Sequence, residues 1–404
     1  MACELLKGVR IADFSWVWAG PYCGTLLSFL GAEVIKVESH GRIDQTRQGT
    51  LMDGDNFDGY DYSPTFNNAN LGKKGITINV KTPEGVELAK KLVSKCDVVL
   101  ANMRPGKMAK LGLGYEDFRK EKEDIIMVES TGFGSSGPYS GFAGYAPIFA
   151  SFGGLAYLTG YGDGAPNVMS GVQDLRVSVA AAFIIITALI QKKKTGKGTY
   201  IDVSSSECMS ALVGPQLLAY TMNGMSPKRR GNADSIMAPH GVYPAKGEDR
   251  WISIAVGSDR EWEELKEVMG NPEWTKNPEY DDMAGRWANR KAISQQMEKW
   301  TADYDAYDLM HLLQEHGIAA MPSMAAEDIL TDEHTKARGL FTTMEHPTMG
   351  EFVTMQPAWH FSKTPAEIVK ASPLLGEDND SVFTDLLGLS AEEYEHLKVV
   401  KAVW

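Results

Sequence analysis

Asp174 is the residue whose setting most invites chemistry. It is the single acidic side chain in residues 166–190, PNVMSGVQDLRVSVAAAFIIITALI, and it precedes a long apolar run. Within 177–190 only Ser178 and Thr187 are polar. The run is shorter than the about 20 apolar residues needed to cross a bilayer, so it predicts a helix inside a large core. Asp174 then falls at or near the helix N-terminus, where free N–H groups and the positive dipole end favour an ionised carboxylate. The result is an oxygen nucleophile charged at neutral pH. A plain helix N-cap is the alternative that this segment leaves open.

Three other segments carry candidate chemistry. DFSWVWAGP, Asp13 to Pro21, ends the first expected strand, and open α/β sheets bind ligands outside the carboxyl ends of their strands. Trp16 and Trp18 there suit a planar ring or an acyl tunnel, or simply fill a core. Lys73 and Lys74, with Asn102, Arg104, Lys107 and Lys110 in NMRPGKMAKLG, supply cations for phosphates; a solvated helix face is the bland reading. STGFGSSGPYSG, residues 130–141, offers backbone N–H groups at Gly132, Phe133 and Gly134 for a developing oxyanion. Its spacing is not that of a G-x-S-x-G nucleophile elbow.

The elements that position these residues follow from periodicity. Residues 9–14 read as a strand, 21–30 as a helix opened by Pro21, and 33–37 as a second strand. The pattern repeats with a strand at 75–80, a helix at 83–95, and strands at 97–101 and 125–129; a strand at 198–203 and a helix at 207–223 follow the apolar run. Alternation of this kind implies an α/β fold, a large Rossmann-like domain with a mostly parallel sheet. No G-x-G-x-x-G follows the first strand, which argues against a nicotinamide or flavin. The turn-rich stretch 224–244 marks a boundary, after which a tryptophan-rich, smaller α+β domain is expected. The expected division is 1–205, a linker at 206–225, a small domain at 226–325, and 326–404 as a linker and the C-terminal part completing the large domain.

Composition limits the partners. The 404 residues carry a formal net charge of −13, with 43% hydrophobic and 23% charged residues. These are the proportions of a folded soluble protein too long for one core. The charge argues against nucleic acid or an anionic membrane. Cys3, Cys23, Cys96 and Cys208 show no metal-ligand spacing, so no metal site and a reducing, cytoplasmic setting are expected.

Taken in order, AGPYxxxLLSFLGAEVIKVE (19–38), NxGKKGITINV (70–80), DVVLANMRPG (97–106), GFGxxGP (132–138), the Asp174 segment and SPLLGED (372–378) resemble the class III CoA-transferases, the family of formyl-CoA transferase and carnitine CoA-transferase. The resemblance spans nearly the whole chain. It implies an interlocked-ring dimer and no permanently bound cofactor, coenzyme A entering as part of an acyl-CoA substrate. It also implies that Asp174 attacks a donor thioester, giving an aspartyl anhydride and then an aspartyl-CoA thioester; an aspartate with a reference pKa of about 3.9 needs no base for this. By the same resemblance Trp16, Val17, Trp18 and Ala19 line the pantetheine end, and Lys73, Asn102 and Lys110 lie near the CoA phosphates or adenine.

Two departures narrow the substrate. The four-glycine run that covers the aspartate in formyl-CoA transferase is replaced by APHGVYP with a single Gly241, so oxalate and formate are not expected. The WVW sequence points to a larger or aromatic acyl group and resembles the benzylsuccinate branch, with succinyl-CoA as donor. A second carboxylate requires an arginine, for which Arg42, Arg47 and Arg176 are candidates. The partner subunit is identical or homologous. The rival readings are an α-methylacyl-CoA racemase and a non-catalytic acyl-CoA-binding subunit. The racemase family's G-H-D is here Gly144-Tyr145-Ala146, and a tyrosine of ordinary pKa about 10 is a poor proton acceptor.

Overall fold

The computed structural model describes residues 3–48, 60–168 and 171–404; Met169 and Ser170, in the segment before Asp174, lie outside the described residues. The chain forms two compact units, one from Met1–Ala156, Val168–Met225 and Lys336–Trp404, the other from Tyr157–Asn167 and Ser226–Thr335. Residues 157–167, expected in the large domain, group with the smaller unit because Arg229 donates to their carbonyls, at 3.0 Å to Tyr157 and 3.1 Å to Gly164. Residues 326–335 group there too, and Arg250 pairs with Asp328 at 2.8 Å.

In the larger unit, strands β1 (Arg10–Asp13), β2 (Glu33–Glu38), β3 (Lys74–Thr77), β4 (Val98–Ala101), β5 (Ile126–Thr131) and β6 (Thr199–Ser204) form one sheet in the order β3-β2-β1-β4-β5-β6. Every neighbouring pair is parallel. Side chains alternate across the pleat, so Ile11, Val98, Leu100, Ile126 and Val128 enter one core and Ala12, Val99, Ala101 and Met127 the other. Covered faces on both sides explain why the strands read as continuous apolar runs. The Pro83–Ser94 helix begins where Thr82 Oγ1 accepts from Gly85 N at 3.0 Å and buries Leu88, Leu92 and Val93. The C-terminal segment seals the sheet edge. Asp378 and Asn379 accept from the β3 amides of Gly75 (2.9 Å) and Thr77 (2.8 Å).

The apolar helix differs from expectation in two respects. It runs from Val172–Thr195, 24 residues, long and apolar enough by length and composition to cross a membrane. It is also not enclosed. Val177, Ala181, Ile185 and Ala188 face the core against the Ala19–Ser28 helix and β5, whereas Val179 is 50% and Phe183 70% exposed. A helix that is apolar all round has two faces to cover, and this unit covers one. Gly171, at φ +86°, turns the chain into it in a left-handed conformation that disfavours any other residue. The helix expected at 207–223 is broken into Ser205–Ser210 and Gly214–Asn223, because Pro215 lacks an N–H and disfavours helical geometry at the residue before it.

The smaller unit holds an antiparallel sheet of β7 (His240–Pro244), β8 (Trp251–Ala255) and β9 (Ala319–Pro322). Its core gathers Ile252, Ile254, Trp262, Leu265, Met297, Leu309 and Leu313.

Beneath the first strand ends of the larger unit lies a chain of buried charges. Lys73 Nζ donates to Asp13 Oδ2 (2.8 Å), Pro21 O (2.7 Å) and Asn70 Oδ1 (2.9 Å). Lys36 pairs with Asp44 at 2.9 Å, and Arg47 with Glu38 at 2.8 Å. Burial alone raises the Asp13 carboxyl, but the neighbouring Lys73 and Lys36 outweigh it and hold the group below its ordinary range; Lys36 does the same for Asp44. Burial in turn brings Lys73 down to about 8. Breaking such a pair strands a charge, so Lys73→Met is expected to destabilise by about 3–5 kcal/mol, read as a lower urea midpoint at unchanged slope. Because Asp13 and Asp44 are depressed in the fold, their stabilisation is full above the unfolded value of 3.8 and is lost as pH falls through the folded values. An acid titration of Tm should show that loss in the wild type, reduced in Asp44→Asn.

Candidate active site

The strand order reverses at β1, and its neighbour on the other side of the reversal is β4, so the crevice outside the carboxyl ends of these two strands is the topological switch point. A cavity of about 440 Å³ opens there. Trp16, Val17, Trp18 and Ala19 enter it after β1, Asn102, Met103, Arg104 and Pro105 after β4, Ser130, Thr131 and Gly132 from the end of β5, and Ser205 after β6. Arg42, Gln45, Phe142, Tyr145, Phe149 and Asp174 also line it.

The loop after β1 is held from both sides. Trp16 N donates to Asn102 Oδ1 (2.8 Å) and Asn102 Nδ2 returns a bond to Trp16 O (2.6 Å). Val17 N donates to both Asp44 oxygens, at 3.1 and 3.2 Å. These bonds hold Val17 at φ +68°, an uncommon conformation for a β-branched residue that persists only where its surroundings over-determine it.

Asp174 is the third residue of the Val172–Thr195 helix, and Gly171 occupies the N-cap. The N-cap reading of Asp174 is thereby excluded. Its carboxylate accepts no hydrogen bond and joins no ion pair among the described residues. Burial pushes its pKa above the ordinary value. A desolvated carboxylate left unpaired in a cavity wall has the makings of a nucleophile.

A second cavity of about 430 Å³ shares Arg42, Met103, Arg104 and Pro105 with the first and adds Lys107, Lys110 and Gly141. Among the described residues its lining holds four cationic side chains and no acid, a wall that suits a polyanion.

Several expected residues are placed elsewhere. Lys73 is fully buried, with its three donors engaged by Asp13, Pro21 and Asn70, so no proton remains for a phosphate. Lys74 pairs with Glu33 at 2.7 Å and lines neither cavity. Phe133 stands behind the wall, its ring 5.5 Å from Phe149 and 6.2 Å from Phe142. Gly132 permits that packing, since a Cβ there would meet Phe149 at 2.4 Å. Gly134 and Ser135 turn toward Asp202, whose Oδ2 accepts from Ser135 N (2.7 Å) and Oγ (2.6 Å), which removes that part of the glycine loop from the cavity. Gly241 belongs to the smaller unit and lines a separate cavity with Asn232, His240 and Gln314. Arg47 is bound to Glu38 and Asp61, and Arg176 is exposed and lines neither cavity. Of the three candidate arginines Arg42 alone reaches the wall shared with Asp174. Asp44, Gln45 and Ser205 belong to no motif, and no sequence signal marks them; Thr131 lies in the 130–141 segment but is not among its expected donors.

A crevice at the switch point of a doubly wound parallel sheet is where α/β proteins of this build hold their ligands. The chain belongs to CoA-transferase family III, whose sequence model matches residues 6–379, and it is a CoA-transferase of that family. Among its relatives, the succinyl-CoA–D-citramalate CoA-transferase of Chloroflexus aurantiacus is 32% identical over 98% of this chain and 98% of its own. The human succinyl-CoA:glutarate CoA-transferase is 33% identical over 95% of this chain and 86% of its own. A CAIB/BAIF family protein from Brucella suis, of known crystal structure, superimposes with a TM-score of 0.85 at 32% identity, covering 96% of this chain and all of that one.

Asn102→Ala removes both bonds to Trp16 and should cost about 1–3 kcal/mol of stability, measured by urea unfolding. A larger proportional loss in kcat/KM than in folded fraction is the expected sign that the Trp16 loop shapes the site.

Proposed function

We propose that this CoA-transferase moves CoA from succinyl-CoA to a second carboxylic acid through Asp174. The observation that carries the reading is an unpaired, partly buried carboxylate in the same wall as the clamped Trp16–Ala19 loop, continuous with a cationic cavity. The CoA phosphates occupy the cavity of Arg104, Lys107 and Lys110, and the pantetheine arm crosses the shared wall to bring the thioester to Asp174.

An Asp174 oxygen attacks the thioester carbonyl, the C–S bond breaks, and a mixed anhydride and CoA thiolate form. The thiolate attacks the aspartyl carbonyl, giving an aspartyl-CoA thioester and free succinate. The acceptor carboxylate attacks that thioester to form a new anhydride, and the thiolate takes the acceptor acyl group, restoring Asp174. No proton changes hands, consistent with a carboxylate nucleophile that has no histidine in its cavity wall. Trp16, Trp18, Phe142 and Phe149 favour an acceptor with an aromatic group, of which benzylsuccinate is an example. A second copy of this or a homologous chain, in the interlocked arrangement, covers Val179 and Phe183 on the exposed helix face. The free cysteines suit a reducing cytoplasm.

Incubation with succinyl-CoA and hydroxylamine or borohydride, followed by peptide mass spectrometry, should show a modification at Asp174 that is absent from Asp174→Ala. A wild type that transfers CoA without an adduct there overturns the mechanism. Turnover in Asp174→Ala should fall by roughly three orders of magnitude or more. The acid limb of kcat/KM should lie above the reference 3.8, with activity lost as pH falls through the raised value. The same shift has the opposite sign for stability. A raised carboxyl favours the fold below its unfolded pKa and loses that contribution as pH rises. Asp174→Asn should therefore raise Tm at neutral pH and leave it unchanged below 3.8. Lys110→Ala should raise KM for acyl-CoA about tenfold with kcat little changed, as expected of a contact equal in ground and transition states.

A further inference from the structure

We infer that Arg42, stacked on Trp16, recognises a second carboxylate on the transferred acyl group and selects dicarboxylic over monocarboxylic substrates. This rests on the reading of Asp174 as the residue that receives the acyl group. The guanidinium carbon lies 3.7 Å from the centroid of the Trp16 ring. Both residues line the cavity of Asp174, and Trp16 does not line the cationic cavity beyond. The stack therefore borders the cavity that Asp174 also lines. Arg42 forms no ion pair with an acidic side chain among the described residues.

Geometry favours a carboxylate as the partner of Arg42. Stacking fixes the plane of the guanidinium and leaves its edge N–H groups free, the fork that pairs bidentately with a carboxylate. The backbone beneath is held as well. Arg42 N donates to Ser39 O at 2.9 Å, and Gly41 lies under Trp404, where a Cβ would approach the ring to 3.0 Å. Two residues further on, Asp44 accepts from Val17 N, so one buried carboxylate positions both the arginine turn and the tryptophan loop. A side chain fixed in advance loses less freedom on binding than a mobile one. Arg104 also borders both cavities but has no aromatic stack and sits among Lys107 and Lys110, where phosphate is the better partner. The relatives named for citramalate and glutarate act on acids with two carboxylates.

The test compares kcat/KM for succinyl-CoA and for butyryl-CoA, which has the same four-carbon chain without the terminal carboxylate. The wild type should prefer succinyl-CoA. In Arg42→Gln that preference should fall about 10- to 100-fold, the range for a charge-assisted pair, and Arg42→Lys should recover part of it. Equal losses for both donors would assign Arg42 to the CoA moiety and overturn the inference, as would a wild type indifferent to the donors. If Arg42→Gln does not fold, the wild type decides alone: free succinate must block adduct formation about tenfold better than butyrate. Labelling of Asp174 by either donor keeps the two readings separable. Absence of label defeats the aspartyl mechanism whatever the donor preference, and label with no preference defeats only the role of Arg42.

Discussion

The site depends on a row of buried charges that must all be paired at once. It runs from Lys73 to Asp13, through Ser15 to Lys36 and Asp44, then by the Asp44 amide to Glu38, Arg47 and Asp61. Removing ions from water costs several kcal/mol each unless close partners and hydrogen bonds compensate. Here each ion has both, and each pair joins two segments drawn from the end of β1, β2, the residue before β3, the turn at 39–47 and the segment at Asp61. Arg47 also donates to Pro373 O at 3.1 Å, joining the C-terminal segment to the row. The arrangement tolerates little relative movement of these segments. The loops that carry Trp16 and Arg42 are therefore set before any ligand arrives.

That constraint explains what the sequence disclosed and what it concealed. Strand periodicity was plain because both faces of the sheet are covered, and the Pro83–Ser94 helix starts at a recognisable cap. Asp174 could be singled out as the one acid before an apolar run, and the structure places it in the cavity wall. The two lysines at 73 and 74 were read alike, yet one is fully buried and the other's side chain is 38% exposed. Alternation along a strand says that adjacent side chains point oppositely. It does not say which points inward, and Asp13, sixty residues away, decides that. The glycine loop was similarly ambiguous. Its N–H groups suit an oxyanion by composition, but Asp202 on the neighbouring strand accepts from Ser135 and turns the loop apex aside.

The apolar helix shows the same limit from the other direction. Its residues are apolar on every side, and no pattern within the segment tells a helix enclosed by one chain from one that leaves a face for a second. Only the packing shows that Ala181 and Ile185 are covered and Phe183 is not. Strand order is likewise a long-range property. The switch point between β1 and β4 depends on which strands become neighbours, and no glycine fingerprint was present to announce it.

The placement of Asp174 resolves a conflict in the chemistry. A nucleophilic carboxylate is more reactive when stripped of water, but desolvation raises its pKa and threatens to neutralise it. Asp174 is partly buried, and its pKa is indeed raised. Its position in the first helical turn opposes that effect, because the free N–H groups and dipole of a long helix favour the charged form. The N-cap would supply the same field, but an aspartate there commonly engages its oxygen with an amide of the first turn. Two residues past the first helical residue, with Gly171 at the N-cap, the carboxylate keeps the favourable field, and its oxygens engage no partner among the described residues. In the proposed mechanism, a carboxylate so placed alternates between anion, anhydride and thioester while the helix that carries it stays intact.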